Sequence, residues 1–183
     1  ARTEFSRNML LQSTPDIEEL IRADFAALLA RAVDGAAIDG TGTDAMPRGI
    51  LNTPGIGSVA LGTNGGTPTW AAVLDLIGEL EDNSVTGTAF VGNGKFSRTA
   101  RRTLKEPGLP GYLMDAPGNL AGYPYLSTGL VPSSLTKGTG TDLSALIFGR
   151  WSDLLIGYWS DNASARDGAR MALTITAAGG LCL

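Results

Sequence analysis

Thr14-Pro15-Asp16-Ile17-Glu18-Glu19-Leu20-Ile21-Arg22 opens the segment on which the fold turns. Thr14 can offer its side-chain oxygen to the free amides of a helix start. Pro15 suits the first helical position, and Asp16, Glu18 and Glu19 complement the positive helix end. Apolar residues then recur at Ile17, Leu20, Ile21, Phe25, Leu28, Leu29, Ala32, Val33 and Ala36, a stripe of helical period. The spacing predicts a helix over residues 14–39, with Gly40 as a left-handed cap. At ~1.5 Å per residue this rod is about 38 Å long, enough to span the body of a domain and organise what packs on it.

Outward from this helix, residues 40–67 read as loops, with Gly40-Thr41-Gly42-Thr43 and the turn Asn52-Thr53-Pro54-Gly55. Thr67-Pro68 repeats the opening device and predicts a second helix with Trp70, Val73, Leu74, Ile77 and Leu80 on one face, ended by Asn83 or Gly87. Residues 88–91 read as a short buried strand, followed by Gly92-Asn93-Gly94 and a short helix over 96–105. Strands are expected near 112–114, 123–126, 143–148, 154–159 and 171–177, between segments rich in Gly, Pro, Ser and Thr. Helices come early and strands late, which predicts an α+β fold over an alternating parallel one.

A length of 183 residues and a mass of 18.9 kDa correspond to about one domain, able to bury ~70% of its unfolded surface. Hydrophobic residues at 43% fill such a core. Only 17% of residues are charged and 25 are Gly, so disorder is not expected, and the composition suggests a loop-rich protein that hides surface against other subunits. There is no histidine, which excludes Ser-His-Asp and Cys-His catalysis and most zinc sites. Cys182 is the single cysteine, so no internal disulfide or thiolate cluster can form. A net charge of −4 argues against non-specific attraction to nucleic acid or anionic membrane. No apolar run approaches ~18 residues, and no signal-peptide layout is present, so a soluble chain without a membrane partner is expected. Ala1 opens the chain in mid-segment without methionine, as expected for a piece of a longer protein.

Four stretches invite a chemical reading. Val91-Gly92-Asn93-Gly94-Lys95-Phe96-Ser97 looks like a phosphate loop, but Ala89 stands where the first glycine belongs and Phe96 displaces the magnesium-binding hydroxyl. A flexible strand-to-helix turn explains it better. Asp39-Gly40-Thr41-Gly42-Thr43-Asp44 has acids only at the first and sixth positions of a would-be calcium loop, and reads as a solvated turn. Asp75 and Glu79, with Glu81 and Asp82 close by, could supply an acid and a base for glycoside cleavage, but acids at helical spacing usually form a water-facing side. Arg98, Arg101, Arg102 and Lys105 follow i, i+3, i+4, i+7 spacing, so a helix would align all four. This is the sharpest electrostatic feature of the chain. A solvated face is its plain reading; pairing with acids of a neighbouring subunit is the functional one. Phosphate contact is weaker, because no aromatic residues interleave for stacking. Trp70, Trp151 and Trp159 read as core or interface anchors.

Several segments together resemble the major capsid proteins of tailed bacteriophages with the Hong Kong 97 fold. Gln12-Ser13-Thr14-Pro15-Asp16-Ile17-Glu18 resembles the start of that family's spine helix. The most specific part follows: Ala36-Ala37-Ile38-Asp39-Gly40-Thr41-Gly42, then Pro47-Arg48-Gly49-Ile50-Leu51-Asn52-Thr53-Pro54-Gly55-Ile56. Leu120-Ala121-Gly122-Tyr123-Pro124-Tyr125 resembles the family's leucine-x-glycine-tyrosine-proline turn, and Ile147-Phe148-Gly149-Arg150-Trp151-Ser152 its phenylalanine-glycine-aspartate-phenylalanine-serine strand. The likeness covers residues 5–160. It implies a long helix in a peripheral domain and an axial domain after it, with axial domains meeting around five- and six-fold axes to form pentameric and hexameric capsomers. The implied product is an icosahedral shell enclosing DNA without sequence-specific binding, assembled in the host cytoplasm as part of a virion. The implied partners are copies of the chain itself. No catalytic residue, small-molecule substrate, cofactor or metal is implied.

The resemblance divides the chain into a partial peripheral domain with the spine helix (1–45), an axial domain (46–160) and a diverged or truncated C-terminal segment (161–183). The family's N-terminal arm and extended loop have no counterpart after Ala1. Residues 160–168 and the ending Gly179-Gly180-Leu181-Cys182-Leu183 depart from its closing strands, so the self-cross-linking Lys and Asn of some members are not carried over. Three alternatives stay open: an encapsulin-type compartment shell, a carboxylate-dependent hydrolase acting through Asp75 and Glu79, and a small-molecule binding module.

Overall fold

The computed structural model describes residues 4, 17–43, 46–108, 110–159, 170–175 and 178–182. The chain forms two compact units, Ala1–Gly35 and Ala36–Leu183, with the boundary inside helix α1 (Ile17–Asp39). The expected helix is present and unbroken from Ile17; the Thr14-Pro15 opening lies outside the described residues. Its apolar stripe is not a buried seam: Leu20, Leu28 and Leu29 are 59%, 50% and 67% exposed. Ala23, Ala26, Ala27 and Ala30 fill the other faces, so apolar character is spread around the rod rather than concentrated on one side.

The second unit is built on a six-stranded mixed sheet. Its strands are β1 (Ser58–Ala60), β2 (Ala89–Gly92), β3 (Asn119–Leu120), β4 (Tyr123–Ser127), β7 (Ala145–Gly149) and β10 (Ala178–Cys182), in spatial order β1-β10-β7-β2-β4-β3. β1 runs parallel to β10 and β2 parallel to β4; the remaining pairings are antiparallel. Two hairpin-like pairs lie apart from this sheet, β5 (Leu135–Lys137) with β6 (Gly140–Leu143), and β8 (Leu154–Trp159) with β9 (Arg170–Ile175).

The central strands β2 and β7 are buried throughout. That is why Ala89-Phe90-Val91 and Ala145-Leu146-Ile147-Phe148 read as continuous apolar runs without alternation. Their side chains divide between two cores. Phe90, Leu146 and Phe148 join Val73, Leu76, Ile77 and Leu80 of helix α2 (Trp70–Glu81) and Phe96 and Ala100 of helix α3 (Gly94–Ala100). Val91, Ala145 and Ile147 face the other way, toward Ile38, Ile50 and Val131. Phe90 sits opposite Phe148 in the register, and their rings stack with centroids 4.3 Å apart. Tyr123 packs edge-on against Phe148 at 5.0 Å.

Several expectations are corrected. α2 begins at Trp70 with Thr69, not Thr67, as its cap, the Thr69 hydroxyl accepting from Ala72 N at 3.3 Å. Its buried face is Ala72, Val73, Leu76, Ile77 and Leu80, while Leu74 is exposed. The end falls at Asp82, before Asn83 or Gly87. Gly40 has no positive φ; Gly42 does, at 75°. Gly40 is required by close approach instead, because a Cβ there would overlap the backbone oxygens of Ala36 and Pro47. The expected strand at 112–114 is only a single bridge from Leu104 to Tyr112. The expected strand at 143–148 is two strands interrupted at Ser144. The strand expected at 154–159 is β8, and that at 171–177 is β9, described over Arg170–Ile175.

Candidate assembly surface

The Asn93-Gly94-Lys95 turn sets the position of α3 and everything after it. Asn93 is buried, its Oδ1 accepting from Phe96 N at 3.0 Å and its Nδ2 donating to Pro132 O at 3.2 Å. Tyr125 Oη donates to Asn93 O at 2.7 Å, and burial pushes the Tyr125 phenol up to about 12. A Cβ on Gly92 would press on that hydroxyl at 2.8 Å. Lys95 Nζ donates to Asp142 O. The stretch that resembles a phosphate loop is thus used up in capping a helix and tying it to β4.

α3 ends at Ala100, not at residue 105. Arg101 is its cap, still helical at φ −74°, ψ −14°, and Arg102 follows in the turn. The four-residue basic face therefore does not form. Arg98, Arg101 and Arg102 stay together on the last turn, exposed, and their guanidiniums make no hydrogen bond or ion pair among the described residues. Cations at that end complement the helix dipole. Lys105 is held elsewhere. Its Nζ donates to Asp115 Oδ2 at 2.8 Å and lies 4.8 Å from the Trp70 ring centroid. That bond, and a second from Tyr112 N at 2.6 Å, hold the Asp115 carboxyl below its usual range. Nothing in the sequence marked Asp115 as this partner, since the pair forms only when the 103–113 turn folds back, with Leu113 N donating to Thr103 O at 2.9 Å.

The acids of α2 lie on its outer side. Asp75, Glu79 and Asp82 line an open groove with Ser58 and Val59 of β1, Leu74 and Gly78. Glu81 is exposed but outside this groove. No basic side chain lines it. A Cβ on Gly57 would meet the Glu79 carboxylate, so the bare backbone there leaves the acid room. The groove faces solvent instead of closing around a substrate, unlike an acid–base pair working in a dry pocket.

The calcium-like loop is a structural clasp. Asn52 Nδ2 reaches Asp39 O at 3.3 Å, Asp39 Oδ1 at 3.2 Å and Gly40 O at 3.1 Å, while Gly49 N donates to Gly40 O at 2.8 Å. This explains why the segments 36–42 and 47–56 read as one motif. Trp151 Nε1 donates to Ala89 O at 2.9 Å, anchoring the chain after β7; the Trp159 side chain lies outside the described residues. Among the described residues, no group of three or more His, Cys, Asp or Glu could hold a metal ion, and no helix is long and apolar enough to cross a membrane.

Comparisons with known proteins give the geometry a setting. The model of the Phage capsid family matches residues 1–182. The solved capsid of a native GTA particle, computed with C5 symmetry, superposes with a TM-score of 0.67 at 24% identity, over 100% of this chain and 71% of that one. Microbacterium phage Oxtober96 gives 0.64 at 18% identity, over 86% of this chain and 52% of that one. The holo-SrpI encapsulin complex of Synechococcus elongatus gives 0.60 at 16% identity, over 97% and 70%. A curated protein of Rhizobium meliloti, the A/B component of a probable K(+)/H(+) antiporter, is 75% identical over 32 residues, which are 18% of this chain and 3% of that protein. So short a share of a long relative carries none of its activity across. With the family model spanning almost every residue and capsid structures sharing the mixed sheet and its helices, the chain belongs to the phage capsid family.

Proposed function

We propose that this chain is a structural subunit of an icosahedral phage or prophage shell, joining its own copies into pentameric and hexameric capsomers that enclose DNA. The observation that carries this reading is the match of the capsid family model to residues 1–182. The fully buried central strands β2 and β7 support it physically, because a ring subunit must keep its shape while its edges are loaded. In this reading residues 1–45 are a partial peripheral domain with the spine helix, 46–160 the axial domain, and 161–183 a diverged close. Arg98, Arg101 and Arg102 are subunit-contact candidates, and Lys105, held by Asp115, is not. The product is the capsid of a virion, assembled in the bacterial cytoplasm, with no small-molecule substrate or membrane partner.

Electron microscopy and light scattering of the expressed chain, and of the longer protein that contains it, test the proposal. Ring or shell particles are expected. A strict monomer at high concentration together with no particle from the longer protein overturns it. An encapsulin-type shell is the second reading, favoured by the likeness to the SrpI complex. Particles that enclose protein cargo and exclude nucleic acid would select it.

A further inference from the structure

We infer that the arginine cluster at the end of α3 docks into the acidic groove beside α2 of the next copy in the ring, head to tail. The inference rests on the shell-building reading and specifies the contact that closes the ring. Three observations carry it. First, the two surfaces have opposite charge and neither is neutralised by an ion pair among the described residues. The guanidiniums of Arg98, Arg101 and Arg102 make no hydrogen bond or ion pair among the described residues, Arg101 acting only through space on Tyr125, and the Asp75–Glu79–Asp82 groove has no cation in its lining.

Second, their spacings match. Asp75 and Glu79 are four residues apart on one helix; Arg98 and Arg102 are four apart on a backbone that stays helical through Arg101. Both pairs are therefore offset by about 6 Å along their axes. Two guanidiniums can face two carboxylates without either helix shifting, each pair forming the charge-assisted hydrogen bonds that arginine favours.

Third, the surfaces belong to different parts of the sheet. The groove is built on β1, an edge strand. α3 follows β2 and packs on β4 through the Phe96–Tyr125 ring stack at 5.6 Å. A contact between unlike patches at separate places is heterologous, and it closes into a ring when the rotation it repeats divides a full turn. Lys105 is not part of this contact, because Asp115 and Trp70 already occupy it.

Charge inversion tests the pairing in the full chain. One variant carries Arg98→Glu, Arg101→Glu and Arg102→Glu, a second carries Asp75→Lys, Glu79→Lys and Asp82→Lys, and a third carries all six. Sedimentation velocity reads association, and circular dichroism checks the fold. Each one-sided variant is expected to associate at least a hundredfold more weakly than wild type. The six-fold variant, with complementarity restored, is expected to recover to within tenfold. Lys105→Ala should stay within twofold of wild type. The milder pair Arg98→Gln and Arg102→Gln, for which misfolding is not expected, should flatten the salt dependence of association. Wild-type assembly with unchanged assembly of either one-sided variant, no rescue in a folded six-fold variant, or an unaltered salt dependence in the Gln pair overturns the pairing while leaving the shell reading intact. Failure of wild type to assemble, alone and within the longer protein, overturns the shell reading itself.

Discussion

Replacing Asn93 by alanine isolates how much one buried amide contributes to the unit Ala36–Leu183. The side chain is 4% exposed and does two jobs, accepting from Phe96 N at 3.0 Å and donating to Pro132 O at 3.2 Å. Loss of a helix cap costs about 1 kcal/mol. Loss of a neutral hydrogen bond that leaves a part-buried carbonyl unpaired costs about 1 kcal/mol more. The sum is about 2 kcal/mol, with a further increment if the vacated space does not close. Thr69→Ala is the natural control, because Thr69 is exposed and its hydroxyl makes only the cap bond to Ala72 N at 3.3 Å. It should cost about 1 kcal/mol or less. Urea unfolding followed by tryptophan fluorescence measures both. With a slope of about 1–3 kcal/mol/M, Asn93→Ala should lower the midpoint by roughly 1 M and Thr69→Ala by about half that, without a change of slope. Equal shifts for the two variants, or a midpoint for Asn93→Ala within error of wild type, would refute the argument that the Pro132 bond contributes separately from the cap.

Gly87→Ala places a methyl against the Phe148 ring, which is fully buried between Phe90 and Tyr123; overpacking should cost about 3 kcal/mol and lower the melting temperature by roughly 6 °C or more, visible by differential scanning calorimetry. Asn52→Ala removes the clasp on Asp39 and Gly40 and should cost about 1 kcal/mol, with faster hydrogen exchange at the Gly49 amide as the local readout. Tyr125 titrates near 12 when folded against an ordinary 10.0, so the folded state holds its proton more tightly than the unfolded one. The stability it contributes is fully present below pH 10 and is lost as pH rises toward 12; Tyr125→Phe should flatten the fall over that window in alkaline unfolding curves, and an unchanged fall would show that other groups cause it.

Legibility followed from how local the determining physics was. α1 and the direction of α2 could be read because capping residues and helical spacing act within a few positions. The boundaries that failed did so for identifiable reasons. Thr67 and Thr69 both precede apolar residues at helical spacing, and only burial of Pro68 by the fold selects Thr69 as the cap. The basic run at 98–105 keeps a helical charge pattern past its own helix end, since nothing local in Arg101-Arg102-Thr103 announces the turn. That turn is made by long-range bonds, Leu113 N to Thr103 O and Met114 N to Ala100 O. The interruption at Ser144 is equally hidden, because Leu143 and Ala145 look continuous in sequence. β1 and β3, at three and two residues, are shorter than any periodicity can register. The candidate contact surface was half legible. The arginines stood out, but their partner groove needs β1 beside α2, and no sequence pattern juxtaposes them.

The character of that surface follows from what a shell has to do. An enzyme concentrates its unusual chemistry in one dry pocket. This chain instead satisfies Asn93 inside, while the guanidiniums of Arg98, Arg101 and Arg102 form no ion pair among the described residues, which costs little while they are hydrated. An apolar contact face of equal strength would attract wrong partners during synthesis, because apolar surface is indifferent to register. Opposed rows of charge discriminate, since a subunit displaced by one position leaves an end charge without a counter-charge and binds more weakly. Each contact can then be weak on its own, as exposed ion pairs are, and still hold once closure makes every subunit bound on two sides at high effective concentration. In the proposed pairing the low overall charge of the chain, 17%, matters: with few charges available, the three arginines on one turn and the three acids along one groove carry the register of assembly.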